Sequence, residues 1–309
     1  LPLSWGVWGP DDQVGTLNRI TDATVAQARD EIRTGRRFNL NLPLDEPFGL
    51  ALDGAHRRRA APTPVMVAEE HPGRITRDDR LDGFWLQAST QWDGLSHFAD
   101  PTHGFYNHAP LSSIVHGADS RNGIDKALAH GIAGRCVLAD LARHFASTGR
   151  AWTPMGGHRA TAEDLAACLD AQGSALRPGD ILLVRTGWLA SFRATPDAEA
   201  RHLMIQGVNG ARDYSGLDGH EPMWRFLWDA GIAAVAADNP TVEAWPIFPW
   251  KPALHLAIAR LGLCLGEFFD LEALAEDSAA TGRFTGFLTA APLNLRGGIG
   301  SPGNVLTIR

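Results

Sequence analysis

Cysteine is scarce in this chain: Cys136, Cys168 and Cys264 are widely spaced among 309 residues. A sparse, odd set does not make a disulfide framework, and free cysteines are commonly interior, so buried thiols are expected. Positive charge is also short. Lys and Arg number 28 against 35 Asp and Glu, a formal charge of −7. That argues against non-specific nucleic-acid binding, which depends on a strongly basic face. No apolar run approaches the roughly 18 residues of a membrane span; the longest, 231–237, is strand-sized. The opening LPLSWGVWGPDD lacks a basic start and an apolar run, so no secretory leader and a cytoplasmic location are expected. No GxGxxG or P-loop follows a strand pattern and no GxSxG elbow occurs, which leaves nucleotide binding and serine-elbow hydrolysis without support.

Hydrophobic residues make up 44% of the chain, enough for a sizeable core. Strand and helix patterns alternate, which predicts an α/β or mixed layered fold, taken as one domain over 1–309 because no linker or repeat interrupts it. Residues 5–18 carry turn chemistry and two tryptophans, Trp5 and Trp8. Such a segment either packs on its own domain or forms a subunit contact, since Trp is enriched at interfaces. A helix is expected over 21–33 with Thr21 as N-cap, and a strand over 38–44. Residues 53–80, polar and holding the HRRR run at 56–59, read as a long surface loop, solvated or acting as a lid. Strands are expected at 84–89, 136–141, 180–186, 232–237, 263–268 and 287–293, the last followed by a Gly-rich tail. Helices are expected at 123–129, 161–172 (Thr161 capping, Asp164 at N3), 222–230, 254–261 and 270–277. Arg185 reads as a structural ion-pair partner.

The informative stretch is QASTQWDGLSHF, 87–98. Gln87, Gln91, Asp93 and His97 would share one face of a straight strand, but they would then spread over about 33 Å. The chain therefore turns, with Gly94 the natural place, or else 87/91 and 93/97 form helix-spaced pairs. Asp93 and His97 are metal-ligand types but too few for a site. His255, in the apolar PALHLAIARL, and Glu267, ending LCLGEFF, are the candidates to complete it. A carboxylate in apolar surroundings is costly unless paired or on a metal. Phe84, Trp85, Trp92, Phe105 and Tyr106 are candidates for an aromatic pocket. His103, His108, His220 and Asp238 with Glu243 are weaker polar candidates.

At this spacing the stretch resembles the motif H-x-G-T-H-x-D-x-P-x-H of the cyclase-like metal hydrolases, a family that includes kynurenine formamidase, isatin hydrolase and trans-dienelactone hydrolase. The resemblance extends through WGPDDQVGTLN, GIAGRCVLAD, DILLVRTGW, GIAAVAADNPTVE, LHLAIARLGLCLGEFFDLEAL and AAPLNLRGGIGSPGNV. It implies a swivelling β/β/α fold with a barrel-like central sheet, a homodimer or homotetramer with the N-terminal segment (about 1–20) in the contact, and a small-molecule substrate. It also implies a downstream His/Glu pair at His255 and Glu267. Two motif histidines are replaced here by Gln87 and Gln91, and an amide oxygen is a weak zinc ligand. One Zn²⁺ or Mn²⁺ held by Asp93, His97, His255 and Glu267 is therefore expected. Asp93, His97 and Glu267 would be the catalytic groups, and Gln87, Gln91, Trp92, Phe84 and Tyr106 would face the substrate. The reaction implied is hydrolysis of a lactone, cyclic amide or aryl formamide. The alternative is a lyase, dehydratase or cyclase using His97 and Asp93 as an acid/base pair without tightly held metal, or a binding protein on a decayed enzyme fold.

Overall fold

A nine-stranded mixed sheet, curled into a half-barrel, carries the molecule, with helices packed around it. The structure is a computed structural model that describes residues 2–47, 59, 61–205, 213–246 and 253–309. Helix α1 spans Asp22–Ala28 and strand β1 Arg37–Asn39. Strands β2 (Thr63–His71) and β3 (Arg74–Asp82) precede β4 (Gln91–Asp93). Then come α2 (Ile124–His130), β5 (Ile132–Asp140), α3 (Leu141–Thr148), β6 (Arg159–Ala160), α4 (Ala162–Ala171) and β7 (Ile181–Arg185). Helices α5 (Trp188–Ala194) and α6 (Ala198–Ile205) lead to β8 (Gly216–Leu217), α7 (Glu221–Asp229) and β9 (Ala234–Ala237). The chain ends with α8 (Leu256–Leu261), β10 (Cys264–Glu267), α9 (Glu272–Thr281), β11 (Thr285–Ala290), β12 (Gly300–Pro302) and β13 (Val305–Ile308).

The sheet order is β1-β13-β11-β5-β7-β9-β10-β4-β12. Strands β5, β7, β9 and β10 run parallel, and the outer strands pair antiparallel. The parallel strands are buried on both faces, which is why their sequences are near-continuous apolar runs. Leu182, Val184, Val235 and Leu265 pack with Leu165, Trp224 and Leu227 on one face. Ile181, Leu183, Ala234 and Ala236 pack with Trp92, Phe269 and Leu274 on the other. All three cysteines are buried and free.

Thr21 caps α1, and Thr161 caps α4 through a reciprocal bond with Asp164. Arg185 is ion-paired with Asp140 at 2.9 Å and Glu272 at 2.8 Å. The tryptophans of the N-terminal segment meet their own chain: Trp5 Nε1 donates to the Ala259 carbonyl at 2.7 Å, and Trp8 lies edge-on to Trp228. Three expectations fail. The expected loop at 53–80 holds the β2–β3 hairpin, which turns through Pro72-Gly73 with Gly73 at φ +79°; HRRR positions 56–58 lie outside the described residues. Polar side chains on both hairpin faces erased the alternation that marks a half-buried strand. The expected strand at 84–89 is a succession of turns, and pairing begins only at Gln91. The chain also does not end on the strand at 285–290, because the Gly-rich tail returns as β12 and β13 and closes on β4, β1 and β11.

Candidate active site

Strand β4 sits between β10 and β12, with Gln91 opposite Glu267, Trp92 opposite Gly266, and Asp93 opposite both Leu265 and Gly300. Strand periodicity puts Gln91 and Asp93 on one face and Trp92 on the other. Chain direction then reverses. The Gly94 N–H donates to the Ile299 carbonyl at 2.9 Å, and the His97 N–H donates to the Gly94 carbonyl at 2.9 Å. A Cβ on Gly94 would lie 2.8 Å from the Ile299 oxygen, so glycine is what allows the close approach. The turn folds His97 back over Asp93, with Nε2 3.9 Å from Asp93 Oδ1. Gln87 closes the loop. Its Nε2 donates to Asp93 Oδ1 at 2.7 Å and stands 3.2 Å from His97 Nδ1.

From the far end of the chain, His255 enters at the N-cap of α8. Its Nε2 is 3.2 Å from Glu267 Oε1 and 3.9 Å from Asp93 Oδ2. Its Nδ1 and backbone N–H both meet the fully buried Glu243 carboxylate, at 2.7 and 3.0 Å. Glu243 follows Val242, a β-branched residue held at φ +64°, an uncommon conformation for such a side chain. Its segment is fastened by the Asn239 amide, which donates to the Ser215 carbonyl at 2.9 Å. The Gln91 amide donates to Glu267 Oε2. Burial opposes a charged His255 ring, but Glu243 and Glu267 outweigh it and hold its pKa well above the usual value. Burial and the Asp93 charge push the Glu267 carboxyl upward. Burial lowers His97 despite Asp93, and Arg59 adds to the lowering. Arg59 is the described residue of the HRRR run, and its charge reaches Glu267 too.

Asp93, His97 and His255 each offer a ligand atom, all within 4.8 Å of one another. Asp93 Oδ2 and Gln91 Oε1 are buried without a hydrogen-bond partner. An unpartnered, wholly buried carboxylate oxygen facing an imidazole is costly as it stands, and a divalent cation among these residues removes that cost. The donor set therefore fits such an ion, with Glu267 beside it.

The other sequence candidates fall differently. Trp92 is fully buried on the opposite face of β4, edge-on to Phe269 at 5.0 Å. It fills the core because the residue between two site residues on a strand must point away from the site. Tyr106 is wholly buried, its hydroxyl donating to Asp12 Oδ2 at 2.9 Å and its ring against Gly262. Phe84 is half-buried and Trp85 exposed. Phe98, not singled out from the sequence, packs against the His255 ring at 5.6 Å. Of the weaker candidates, Glu243 reaches the site. Asp238 instead accepts from the backbone of Thr186 and Gly187, His220 pairs with Asp218, and His103 and His108 flank Trp5.

Comparison with known proteins agrees with this architecture. The Cyclase family matches over residues 39–244. The crystal structure of a novel cyclase superposes with a TM-score of 0.83 at 31% identity, covering 100% of both chains. Isatin hydrolase A from Labrenzia aggregata, bound to benzyl benzoate, gives a TM-score of 0.58 at 18% identity, covering 94% of this chain and 98% of that one. Isatin hydrolase A from Ralstonia solanacearum gives 0.58 at 17% identity, covering 92% and 95%. Comparison with curated proteins finds no match. A curled mixed sheet that brings an Asp-x-x-x-His turn against a downstream His/Glu pair defines the class of site; the chain belongs to the cyclase family. Among the described residues no helix is long and apolar enough to cross a membrane.

Proposed function

We infer that this protein is a metal-dependent hydrolase that opens a lactone, a cyclic amide or an aryl formamide. One observation carries the reading: Asp93, with an unpartnered buried oxygen, lies 3.9 Å from the Nε2 of a histidine whose other nitrogen is fastened to a buried carboxylate. A histidine anchored in this way is oriented as a metal ligand. Asp93, His255 and Glu267 would hold one Zn²⁺ or Mn²⁺, and His97 stands beside them. Such an ion would polarise a carbonyl and lower the pKa of a water. The chain's own residues supply the rest. Glu243 fixes the His255 ring, the Gln91 amide holds Glu267 by one oxygen so that the other faces His255, and Phe98 shields the His255 ring from water. Family membership supports the reading, as does the likeness in fold to isatin hydrolases, whose name describes ring opening of a cyclic amide.

The test is turnover of a panel of lactones, isatin-type lactams and aryl formamides before and after chelation. Hydrolysis of one class is expected, with about one ion per chain, loss on chelation and recovery on adding Zn²⁺ or Mn²⁺. Turnover undiminished by the chelator would overturn the reading in favour of acid/base chemistry by His97 and Asp93 alone.

A further inference from the structure

We propose that Gln87 fixes His97 as the neutral tautomer protonated on Nε2, so that His97 is neither a metal ligand nor a general base but a hydrogen-bond donor to the substrate's carbonyl oxygen. An ion would then be held by Asp93, His255 and Glu267. This assignment rests on the hydrolase reading above for its catalytic meaning, but its structural core does not.

An ionised carboxylate oxygen only accepts hydrogen bonds. Gln87 places an amide atom 2.7 Å from Asp93 Oδ1, so that atom must be the nitrogen, because the amide oxygen would meet a second acceptor there. The same nitrogen lies 3.2 Å from His97 Nδ1. An amide NH₂ carries two hydrogens and no usable lone pair, so it donates to both. His97 Nδ1 is therefore the acceptor. An imidazole that accepts at Nδ1 carries its proton on Nε2, and a doubly protonated ring would set N–H against N–H.

A histidine ligand needs the reverse arrangement, with its outer nitrogen donating so that the inner one offers a lone pair. His255 has that arrangement, with Glu243 behind Nδ1. The two site histidines thus have opposite partners: an acceptor behind His255 and a donor behind His97. Where the family motif carries a histidine at position 87, this chain carries the amide that makes the difference. The His97 side chain retains 21% exposure whereas Asp93 has none, so His97 is the more accessible of the two. A neutral imidazole can stabilise negative charge developing on a carbonyl oxygen without giving up its proton.

Nitrogen-15 spectra of the histidine side chains in the intact protein test the tautomer directly, before and after loading with Zn²⁺. A protonated Nε2 and unprotonated Nδ1 on His97 are expected in the metal-free protein, unchanged by Zn²⁺, while His255 Nε2 moves on loading. A protonated Nδ1 on His97, or a His97 Nε2 that shifts as a ligand, would overturn the proposal. Calorimetric titration with Zn²⁺ gives the second readout: His97→Ala should change the affinity less than about 3-fold, against a loss of about 10–100-fold or more for His255→Ala. Equal losses in the two variants would also overturn it. Gln87→Leu should mix the His97 tautomers and lower kcat with KM nearly unchanged; a His97 tautomer unmoved by this variant counts against Gln87 as the positioning residue. Because the metal-free spectra need no substrate, a protein that hydrolyses nothing on the panel but shows the expected tautomer would fail the functional reading and leave this one standing.

Discussion

Glu243 shows how one side chain can set a site without facing it. Its two oxygens accept from the ring and the backbone of His255, so it orients the ligand nitrogen and strengthens it as a base. Glu243→Gln keeps the shape but provides a donor where an acceptor is needed. We expect zinc affinity to fall by about 10–100-fold by calorimetry, with the circular dichroism spectrum unchanged. An unchanged affinity would mean that Glu243 is only a packing residue. Asp100 supplies a pH test away from the candidate metal site. Burial opposes its charge, but Arg260 and the N–H groups of Thr102 and His103 outweigh burial and hold the carboxyl below its ordinary value of 3.8. The unfolded chain therefore takes up this proton at higher pH than the folded one, and the stabilisation is complete above about pH 4 and lost as pH falls through the folded value. Melting curves of the wild type and Asp100→Asn should differ most above pH 4 and converge on acidification; a gap that widens in acid would reverse the assignment.

At the scale of elements, the site depends on how closely β4 and β10 approach. Gly266, opposite Trp92, leaves room for nothing larger: an added Cβ would meet Phe269, Ala236 and Trp92 at 2.7–2.9 Å. Gly266→Ala should cost about 1–3 kcal/mol through overpacking. Because Glu267 is its neighbour, zinc affinity should fall as well. Chemical denaturation and metal titration of the same variant check both, and loss of stability alone would show that Glu267 does not depend on this packing. The long apolar strands and capped helices were legible because burial on both faces and capping chemistry write directly into sequence. The convergence of Asp93, His97, His255 and Glu267 was legible from ligand types and motif spacing. Trp92 was misplaced because a residue lying between two site residues in sequence is turned away by the pleat. Strands β12 and β13 were missed because a Gly- and Pro-containing segment carries little alternation, although Gly300 is what lets Gln87 lie against β12. Glu243 was weakly legible because a carboxylate just past a strand looks the same whether it meets solvent or a buried histidine.

At the scale of the molecule, the nine-stranded sheet with its helices is tightly packed, whereas the β2–β3 hairpin forms a separate two-stranded sheet. Among the described residues strands β2 and β3 pair only with each other, over nine residues each, which is about 30 Å of hairpin. Nearly every side chain on it is exposed, including Met66, Val67, Ile75 and Leu81. A residue that contributes no burial contributes little to the cooperative stability of a domain. Thr63 and Asp82 are direct cross-strand partners, so the ends to be rejoined lie about 5 Å apart. Replacing 63–82 with a short Gly-Ser link should therefore leave the melting temperature within about 2–4 °C of the parent, the shift that about 1 kcal/mol makes in a chain of this size. Zinc affinity should likewise be unchanged, since Asp93, His255 and Glu267 lie on β4, at the start of α8 and at the end of β10. Scanning calorimetry and metal titration of the excised chain test this. A large fall in melting temperature would show that the hairpin is stabilised by a surface it covers. A fall in zinc affinity alone would instead tie the hairpin to the placement of Gln87, five residues beyond its end.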